Sequence, residues 1–481
     1  MKKTTLLKFF PLMIFAGMII YFRMDLLLAA PIATFAAIGV YMFTQHSGFD
    51  GAFSHGLAAA SSITMVFFVL MFAYGVAECF MATGVGAALI NLSLRLGVTG
   101  RTIAPVTLLF TSILSLATGS SWGSFAACAP IFLWLNHLTG GDVRLTLCAV
   151  AGGACFGDNI GMISSVTVLS CSLQDVSVLD RTRHQIVWCL LCLLLSLLLF
   201  LWAGWGLPHT AVDASGALEA IPQPALDALA LRRPSAMALM QQVKSGVPLY
   251  MVLPLLLVIS MSFQGCHTLL CLGAGMVSSL LLGMAAGTIS LSSWLEDLLF
   301  KGFTDAGSWT IIMMMWVAAF GGVMNGMDAF APLADLVARR SKNVQQLMGW
   351  CGVLCFVGNM ALADESAQVT TISPIVRDTV EKNVVCENRE DAYTLRMRLS
   401  VLTSSMGVYG SQLIPWHCYP VFFASIANTV YPICTFTPFD IIRRNYLSFL
   451  IVGSLLLLTF TGWDRAIPFF ALPKGVKLKK R

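Results

Sequence analysis

The sequence predicts an all-α polytopic membrane protein. Of its 481 residues, 57% are hydrophobic and only 11% are charged, whereas a soluble domain has roughly 25% charged residues. The mean hydropathy is +0.80. Apolar runs recur along the whole chain, and a run of about 20 residues is enough to cross a hydrocarbon core about 30 Å thick. The lipid bilayer is therefore the predicted environment of most of the chain.

The apolar runs predict about twelve transmembrane segments. Ile186 to Trp205 contains no charged residue, and a helix that rises about 1.5 Å per residue crosses the hydrocarbon core over that length. The polar-interrupted segments complete the count. The other apolar segments lie at 9–22, 26–44, 57–80, 102–117, 247–263, 268–287, 309–327 and 446–462.

Four polar interruptions break this apolar pattern. They read TGSSWGS around Ser121, FGDNIGMIS around Asp158, LADESAQ around Asp364 and YGSQLIPWH around Pro415. Non-helical backbone at membrane depth is tolerated only where it is buried in protein or lines a polar cavity. The interruptions therefore predict a transport site built from discontinuous helices. The helices are predicted to break near 118–124, 157–163, 361–368 and 407–417.

The two halves of the chain resemble each other. The string AYGVAECFMATG is echoed by AFGGVMNGMDAF. Ser121 and Asp364 are 243 residues apart, and Gly157 and Gly410 are 253 apart. Landmarks in one order at similar separations indicate an internal repeat, for which inverted topology is the common arrangement, although a parallel one stays open. The predicted parts are a first membrane repeat at 1–205, a polar connector at 206–246, a second membrane repeat at 247–465 and a basic cytoplasmic tail at 466–481.

Positive charge is concentrated at both ends of the chain. Lys2, Lys3 and Lys8 lie near the start, and the tail reads KGVKLKKR. Short segments rich in Lys and Arg stay in the cytoplasm, so both termini are predicted inside the inner (cytoplasmic) membrane. The first segment has no cleavage site of the signal-peptide type after it and is interpreted as a retained helix. The net charge of +5 indicates contact with the membrane surface and not with nucleic acid.

The remaining polar and sulfur-containing segments give no site of their own. Most of the 14 cysteines lie in apolar runs, where a free cysteine acts as a small hydrophobe. The CLLC string at 189–192 has no second pair, so no metal or redox motif is predicted there. The stretches 174–184 and 377–398 are interpreted as solvated connections.

The acidic residues of the interruptions are the candidate ion-binding groups. An ionised carboxylate near the bilayer centre is costly, so its presence indicates function. Asp158 can hold either a proton or a metal cation, which is a simple basis for coupled exchange; capping of the next half-helix is the alternative. Asp364 and Glu365 cannot both be ionised in a dry site without a cation, so one is expected to face the cavity and the other to cap or bind. Asp158 and Asp364 are the candidate Na⁺ ligands. Glu78 is a further intramembrane acid, for which a role in binding a proton or a cation is considered.

Neutral groups complete the candidate site. Oxygens of hydroxyls and amides suit hard alkali cations or a polar solute, although helix packing is the plain alternative for each hydroxyl. His417 could relay protons, or serve only as a structural histidine. The proposed ligands are Asn159, Ser120, Ser121, Ser164 and Ser366, and the proposed lining or gating residues are Trp122, Trp416, Pro415 and Gly157.

These interruptions resemble the NhaC-type sodium/proton antiporter family, within the wider ion-transporter superfamily. The matching strings are SSWGSFAACAPI, GGACFGD, ADESAQVTTISPI and LIPWHCYPVFFASI. The resemblance implies exchange of Na⁺ for H⁺, with some relatives coupling the gradient to small organic acids. It also implies that Asp158, Asp364 and Glu365 are coupling-ion residues and that Trp122 and Trp416 line the site.

The sequence departs from the family pattern at two acids. Ser165 or Val166 stands where a second acid is expected after the GD pair, and Asn325 stands near where relatives tend to carry Glu. Each missing acid removes a proton carrier or a cation ligand. The departures leave room for an organic solute whose own charge completes the balance.

The sequence therefore predicts a secondary active transporter that exchanges Na⁺ for H⁺ by alternating access. The alternative is a Na⁺- or H⁺-coupled transporter of an amino acid or small carboxylate on the same scaffold. An enzyme is not expected, because the chain contains no HExxH string, and an ATP-driven pump is not expected, because it contains no GxxxxGKS or GxxxxGKT string. No cofactor is predicted beyond the coupling ion, and a homodimer is an open possibility.

Overall fold

A computed structural model describes residues 7–162, 164–209, 234–264, 266–328 and 330–479. Almost all regular structure in these ranges is helical, which confirms the all-α prediction. In the described part of the first half, the helices are α1 (Phe10–Ile20), α2 (Leu26–Gln45), α3 (Phe49–Ser62), α4 (Thr64–Thr83), α5 (Val85–Arg95), α6 (Ile103–Thr118), α7 (Ser121–Thr139), α8 (Val143–Ile160), α9 (Ser165–Gln174) and α10 (Val178–Ala203).

The rest of the chain continues with α11 in the connector and a second set of helices. They are α11 (Pro234–Ser245), α12 (Leu253–Phe263), α13 (Thr268–Ala285), α14 (Leu291–Ser293), α15 (Phe300–Asp305), α16 (Ile311–Gly326), α17 (Ala331–Arg340), α18 (Val344–Leu362), α19 (Glu365–Asn383), α20 (Arg389–Ser411), α21 (Cys418–Val430), α22 (Pro438–Arg443) and α23 (Tyr446–Thr461). Two π-helical turns, Trp294–Leu299 and Ala306–Thr310, join α14, α15 and α16 into one continuous segment.

Several helices are long and apolar enough to cross a membrane. By length and composition, four spans qualify within the described residues: α2, the α8 and α9 pair, α10 and α13. The count rises to six if each of two bent pairs forms one span, with bends of 41° between α3 and α4 and 63° between α16 and α17. Shorter apolar helices, among them α1, α6, α21 and α23, lie in the same assembly. The chain is a multi-pass membrane protein, and the count of twelve stays a prediction.

Helices of the two halves are interlocked. Helix α16 packs against α2 and α3, and α4 packs against α13 and α15. Helix α9 packs against α19 and α20, while α21 packs against α7. Each half therefore contributes helices to surfaces that the other half buries.

Two of the breaks have the same local construction. Gly119 follows the last residue of α6 and Ala363 follows the last residue of α18, and both have a positive φ, 61° and 55°, in the left-handed region that stops a helix. The next residue in each case is an N-cap: the side chain of Ser120 accepts from the Gly123 amide, and that of Asp364 accepts from the Ala367 amide at 2.8 Å. A side chain that satisfies a free amide in this way starts the next helix.

The other two breaks are shorter than the sequence suggested. Helix α8 continues to Ile160, so Gly157 and Asp158 lie in its last turns, and the break covers 161–164, of which residue 163 lies outside the described residues. Helix α20 continues to Ser411, and the break before α21 includes Pro415. Ser164 and His417 are the N-caps of α9 and α21.

The polar stretches outside the breaks are more ordered than predicted. Residues 174–184 are not a solvated loop, because α10 begins at Val178 and its Arg181 is fully buried. The stretch 377–398 is also largely helical, and it contains a strand, β1 (Val384–Cys386), which pairs antiparallel with β2 (Val476–Leu478) of the basic tail. Residues 210–233 of the connector, the first six residues and the last two lie outside the described residues.

Candidate functional site

Asp158 is held by groups from three helices. Its Oδ2 atom accepts from the backbone amide of Ser121 at 2.9 Å and from the hydroxyl of Tyr419 at 3.1 Å. Its Oδ1 atom accepts from the hydroxyl of Ser164 at 3.0 Å. The carboxylate thus faces the N-terminus of α7, where the free amides and the helix dipole favour negative charge. Asp158 caps α7 across the fold and also contacts Ser164, the cap of α9.

Tyr419 extends this arrangement to the second half of the chain. Its ring stacks on Trp122 with centroids 4.7 Å apart and on His417 with centroids 5.9 Å apart. Its hydroxyl also accepts a hydrogen bond of 2.7 Å from the Ser121 side chain. A hydroxyl and an amide from opposite halves therefore meet on one carboxylate.

The two adjacent acids of the third break have different positions. Asp364 is the N-cap of α19, and its carboxylate accepts a hydrogen bond from the Ala367 amide. Glu365 is the first residue of α19, is 4% exposed, and lines a cavity together with Asp158. The thiol of Cys418 lies 3.7 Å from Glu365 Oε2. Two carboxylates, Asp158 and Glu365, thus border the same space.

The cavity that these acids border has a volume of about 370 Å³. Small organic ligands occupy cavities that begin at about 300 Å³, so this space exceeds the needs of one ion. Trp122, Ser120 and Ser366 line it, as do Ser165 and Val166. The remaining lining residues are Met65, Val69, Gly119, Cys266, His267 and Thr268.

A second cavity of about 860 Å³ lies along the other side of α21. Pro415, Val421 and Ser425 line it, together with residues of the turn between α1 and α2. The turn contributes Asp25, which is the N-cap of α2. His267, the N-cap of α13, lines the first cavity.

Several predicted site residues lie away from the first cavity. The side chain of Asn159 contacts Ser405 and Cys189. Glu78 lies on α4, which packs against α11, and its carboxylate accepts a hydrogen bond from the Ser235 hydroxyl. Trp416 donates to the carbonyl of Met360 at 2.8 Å. These three side chains are placed at helix contacts and not among the residues that line the cavity.

Gly157 and His417 have packing roles in the structure. A Cβ atom at Gly157 would overlap the backbone of Ser115, so the glycine lets α8 approach α6 closely. His417 is fully buried, contacts Asn359 through Nε2 at 2.9 Å, and caps α21 through the Tyr419 amide.

Sequence reasoning missed two residues of this region. Tyr419 lies in the string LIPWHCYPVFFASI, just after the fourth break. Its aromatic hydroxyl next to a break was the signal that could have marked it as a site residue. Arg181 was assigned to a solvated loop. It donates to the Asn159 carbonyl at 2.7 Å and to Thr167, which in turn donates to the Asp158 carbonyl. Among the described residues Arg181 has no ion-pair partner, so a fixed positive charge is buried behind Asp158.

Comparison with known proteins identifies related transporters. Residues 4–205 match the model of the Na⁺/H⁺ antiporter family. The chain is 21% identical over 461 residues to the malate-2H⁺/Na⁺-lactate antiporter of Bacillus subtilis, covering 93% of each chain. It is 21% identical over 339 residues to the Na⁺/H⁺ antiporter NhaC of Alkalihalophilus pseudofirmus, covering 66% of this chain and 67% of the relative.

Proposed function

We propose that this multi-pass membrane protein belongs to the Na⁺/H⁺ antiporter family, whose model matches residues 4–205, and that it exchanges Na⁺ for H⁺ at Asp158 by alternating access. The proposed location is the inner membrane, with both termini in the cytoplasm. The observation that carries the proposal is the position of Asp158, a buried carboxylate that borders a cavity and joins the two halves of the chain.

The contacts of Asp158 support competition between a proton and a cation. An isolated buried carboxylate takes up a proton, while fixed donors and a bound cation stabilise its ionised form. Ser121, Ser164 and Tyr419 supply three donors, and each carboxylate oxygen has further acceptor capacity for Na⁺. Glu365 borders the same cavity and provides a second carboxylate for charge balance. Binding of one ion would then displace the other.

The pattern of helices supports a repeat with a pseudo-two-fold relation. Helices α7 and α19 each have 19 residues, and each follows a break with a positive-φ residue and an N-cap. Ser164 and His417, the caps of α9 and α21, are 253 residues apart, the separation found at Gly157 and Gly410. Packing between the halves follows the same relation, since α4 of the first half packs against α13 and α15, and α16 of the second half packs against α2 and α3.

The two cavities support alternating access within that relation. Asp25 borders the larger cavity and His267 the smaller one, and the two caps occupy matching places before α2 and α13. Helix α21 runs from the Asp158 site along the larger cavity. A rocking motion of the halves would open one cavity to the site as the other closes.

The test is Na⁺ uptake driven by a pH gradient into liposomes that contain the purified protein. The wild type is expected to accumulate Na⁺, and Asp158→Asn is expected to lose coupled uptake while it keeps its fold, because the amide oxygen still accepts from Ser121. Asp378→Asn is the control, since Asp378 is exposed and pairs only with Lys382 in the described structure. Uptake by Asp158→Asn at the wild-type rate would remove Asp158 from the mechanism.

A second candidate function is Na⁺- or H⁺-coupled transport of a small organic acid or amino acid. The volume of the first cavity and the absence of the expected acid at Ser165 and Val166 favour it. The relative of Bacillus subtilis, named for malate and lactate, supports it as well. A thermal-shift screen with Na⁺, Li⁺, K⁺, small acids and amino acids separates the two functions, because a ligand stabilises the protein by mass action. Solute uptake without cation-dependent proton flux would favour the second.

A further inference from the structure

Three potential metal ligands converge beside the first cavity. Glu365 at the start of α19 and His417 and Cys418 at the start of α21 are all buried, and one ligand atom from each lies within 4.8 Å of the others. The Cys418 sulfur is 3.4 Å from His417 Nδ1 and 3.7 Å from Glu365 Oε2. A thiol, an imidazole and a carboxylate form a set suited to a borderline or soft divalent cation.

The two separations that involve the Cys418 sulfur fit a tetrahedral site. Zinc binds sulfur at about 2.3 Å and nitrogen or oxygen at about 2.0–2.2 Å, so a tetrahedral angle places a sulfur and a nitrogen or oxygen about 3.5 Å apart. The observed separations of 3.4 and 3.7 Å lie close to that value. Binding of a metal would then bring together the ligand atoms of Glu365 and His417, which lie within 4.8 Å of each other, and would leave a fourth position for water.

The hydrogen bonds of Asn359 decide which nitrogen of His417 carries the lone pair. The amide nitrogen of Asn359 donates to the carbonyls of Met406 at 2.8 Å and Gly407 at 3.0 Å, so its Oδ1 is an acceptor. His417 Nε2, 2.9 Å from that oxygen, must carry the proton. Nδ1 then carries the lone pair; it lies 3.4 Å from the Cys418 sulfur and accepts a hydrogen bond from the Tyr419 amide at 3.3 Å, which a bound cation would replace. A ligand histidine held through its other nitrogen is the usual second shell of a metal site.

A route to the cluster is present. Glu365 lines the first cavity, and Cys266 and His267 line the same cavity. Cys266 is only partly buried, so a thiol and an imidazole border the cavity through which a cation would reach Glu365. This pair distinguishes the route from one lined only by oxygen, which would favour alkali cations.

We propose that Glu365, His417 and Cys418 form a binding site for a soft divalent transition-metal cation, with Zn²⁺ as the natural candidate. Binding requires the thiolate, so the Cys418 proton passes to solvent and the site strengthens as pH rises. The occupied site holds Glu365 in place and blocks exchange. This inhibitory consequence rests on the proposed function, whereas metal binding does not.

The binding test uses Cd²⁺, which reports bonds to thiolate by an ultraviolet charge-transfer band. Purified full-length protein in detergent is titrated with Cd²⁺ under reducing conditions. We expect the band in the wild type, in Cys355→Ala and in Cys266→Ala, because Cys355 is buried within α18 and Cys266 only borders the route. Cys418→Ala is expected to lose the band and to bind more than about 100-fold more weakly, since loss of a second-shell group alone costs 10- to 100-fold.

Further variants keep the test decisive. Glu365→Gln preserves the side-chain volume and is expected to weaken binding by more than about tenfold while keeping the band. If Cys418→Ala does not fold, Glu365→Gln tests the site in its place. A wild type without the band, or a Cys418→Ala variant with the wild-type band, would overturn the site.

The transport arm separates this inference from the proposed function. Zn²⁺ is expected to inhibit Na⁺ uptake by the wild type and by Cys355→Ala, and to lose that effect with Cys418→Ala. Binding without inhibition would overturn the inhibitory role and leave the metal site standing. If metal-free protein exchanges no Na⁺ for H⁺, the proposed function fails, while the charge-transfer band still decides the metal site.

Discussion

The hydroxyl of Tyr419 donates a hydrogen bond of 3.1 Å to the carboxylate of Asp158. The two residues are 261 positions apart, one at the end of α8 and the other in the first turn of α21. Because the donor and acceptor belong to opposite halves of the chain, this bond connects the two halves at the site. Any rocking of the halves must change it.

Tyr419→Phe removes that bond and keeps the ring that stacks on Trp122. Loss of a hydrogen bond to a charged group costs about 1.5–3 kcal/mol, so the rate of Na⁺ uptake is expected to fall about 10- to 100-fold. The control is Tyr431→Phe, which loses a bond of 2.8 Å to His137 far from the site. The control should lower the melting temperature and leave uptake near the wild-type rate; equal effects of both variants on uptake would contradict the role of Tyr419.

Asp364 and Glu365 are adjacent but should respond differently to neutralisation. Asp364→Asn keeps an N-cap for α19, because asparagine caps as well as aspartate, and uptake is expected to change less than about threefold. Glu365→Gln removes a carboxylate that lines the cavity and is expected to abolish coupled uptake. The pair is compared in the same liposome assay, and the reverse order of effects would assign the coupling role to Asp364.

Gly157→Ala should prevent close packing of α8 on α6. The added Cβ would overlap the backbone of Ser115, which cannot move without shifting the helix. We expect a loss of folded protein, measured by size-exclusion chromatography and by the melting temperature. Gly453→Ala is the matched control, because nothing lies within 4 Å of its added Cβ. In the interior of α23 that change should stabilise the helix by about 0.5–1 kcal/mol.

Arg398→Met should destabilise the contact between α20 and the C-terminal segment. Arg398 is fully buried, pairs with Asp464 at 3.4 Å, and donates to the Phe470 carbonyl at 3.1 Å. Removing one partner of a buried ion pair costs about 3–5 kcal/mol, because the other charge is left uncompensated. Arg396→Met removes a more exposed pair, at 3.9 Å from Asp175, and should cost less than about 1 kcal/mol. The melting temperatures of the two variants give the comparison.

The sequence was sufficient for the fold class and for the regions where helices break. Apolar composition identifies membrane helices directly, and short polar strings that contain glycine or serine identify the breaks. The residue at which a helix stops depends on packing, so the sequence placed Asp158 within a break although α8 continues to Ile160. The same applies to Gly410, which lies within α20.

The partners of the site residues were not accessible from the sequence. No feature of the neighbouring sequence identifies Tyr419 as the donor to Asp158. None indicates that the side chain of Asn159 contacts Ser405 instead of lining the cavity. Arg181 was misplaced because an arginine near polar neighbours usually indicates solvent. Its burial follows from the start of α10 at Val178 and from acceptors on other helices.

The interlocking of α4 with α13 and α15 has a consequence for biosynthesis. During translation α4 enters the membrane long before the residues of α13 and α15 exist, so the face that will receive them must first be covered by lipid, by the insertion machinery or by a temporary protein neighbour. Slow translation through the connector would lengthen that interval. The order of synthesis thus exposes the first half to quality control until its counterpart arrives.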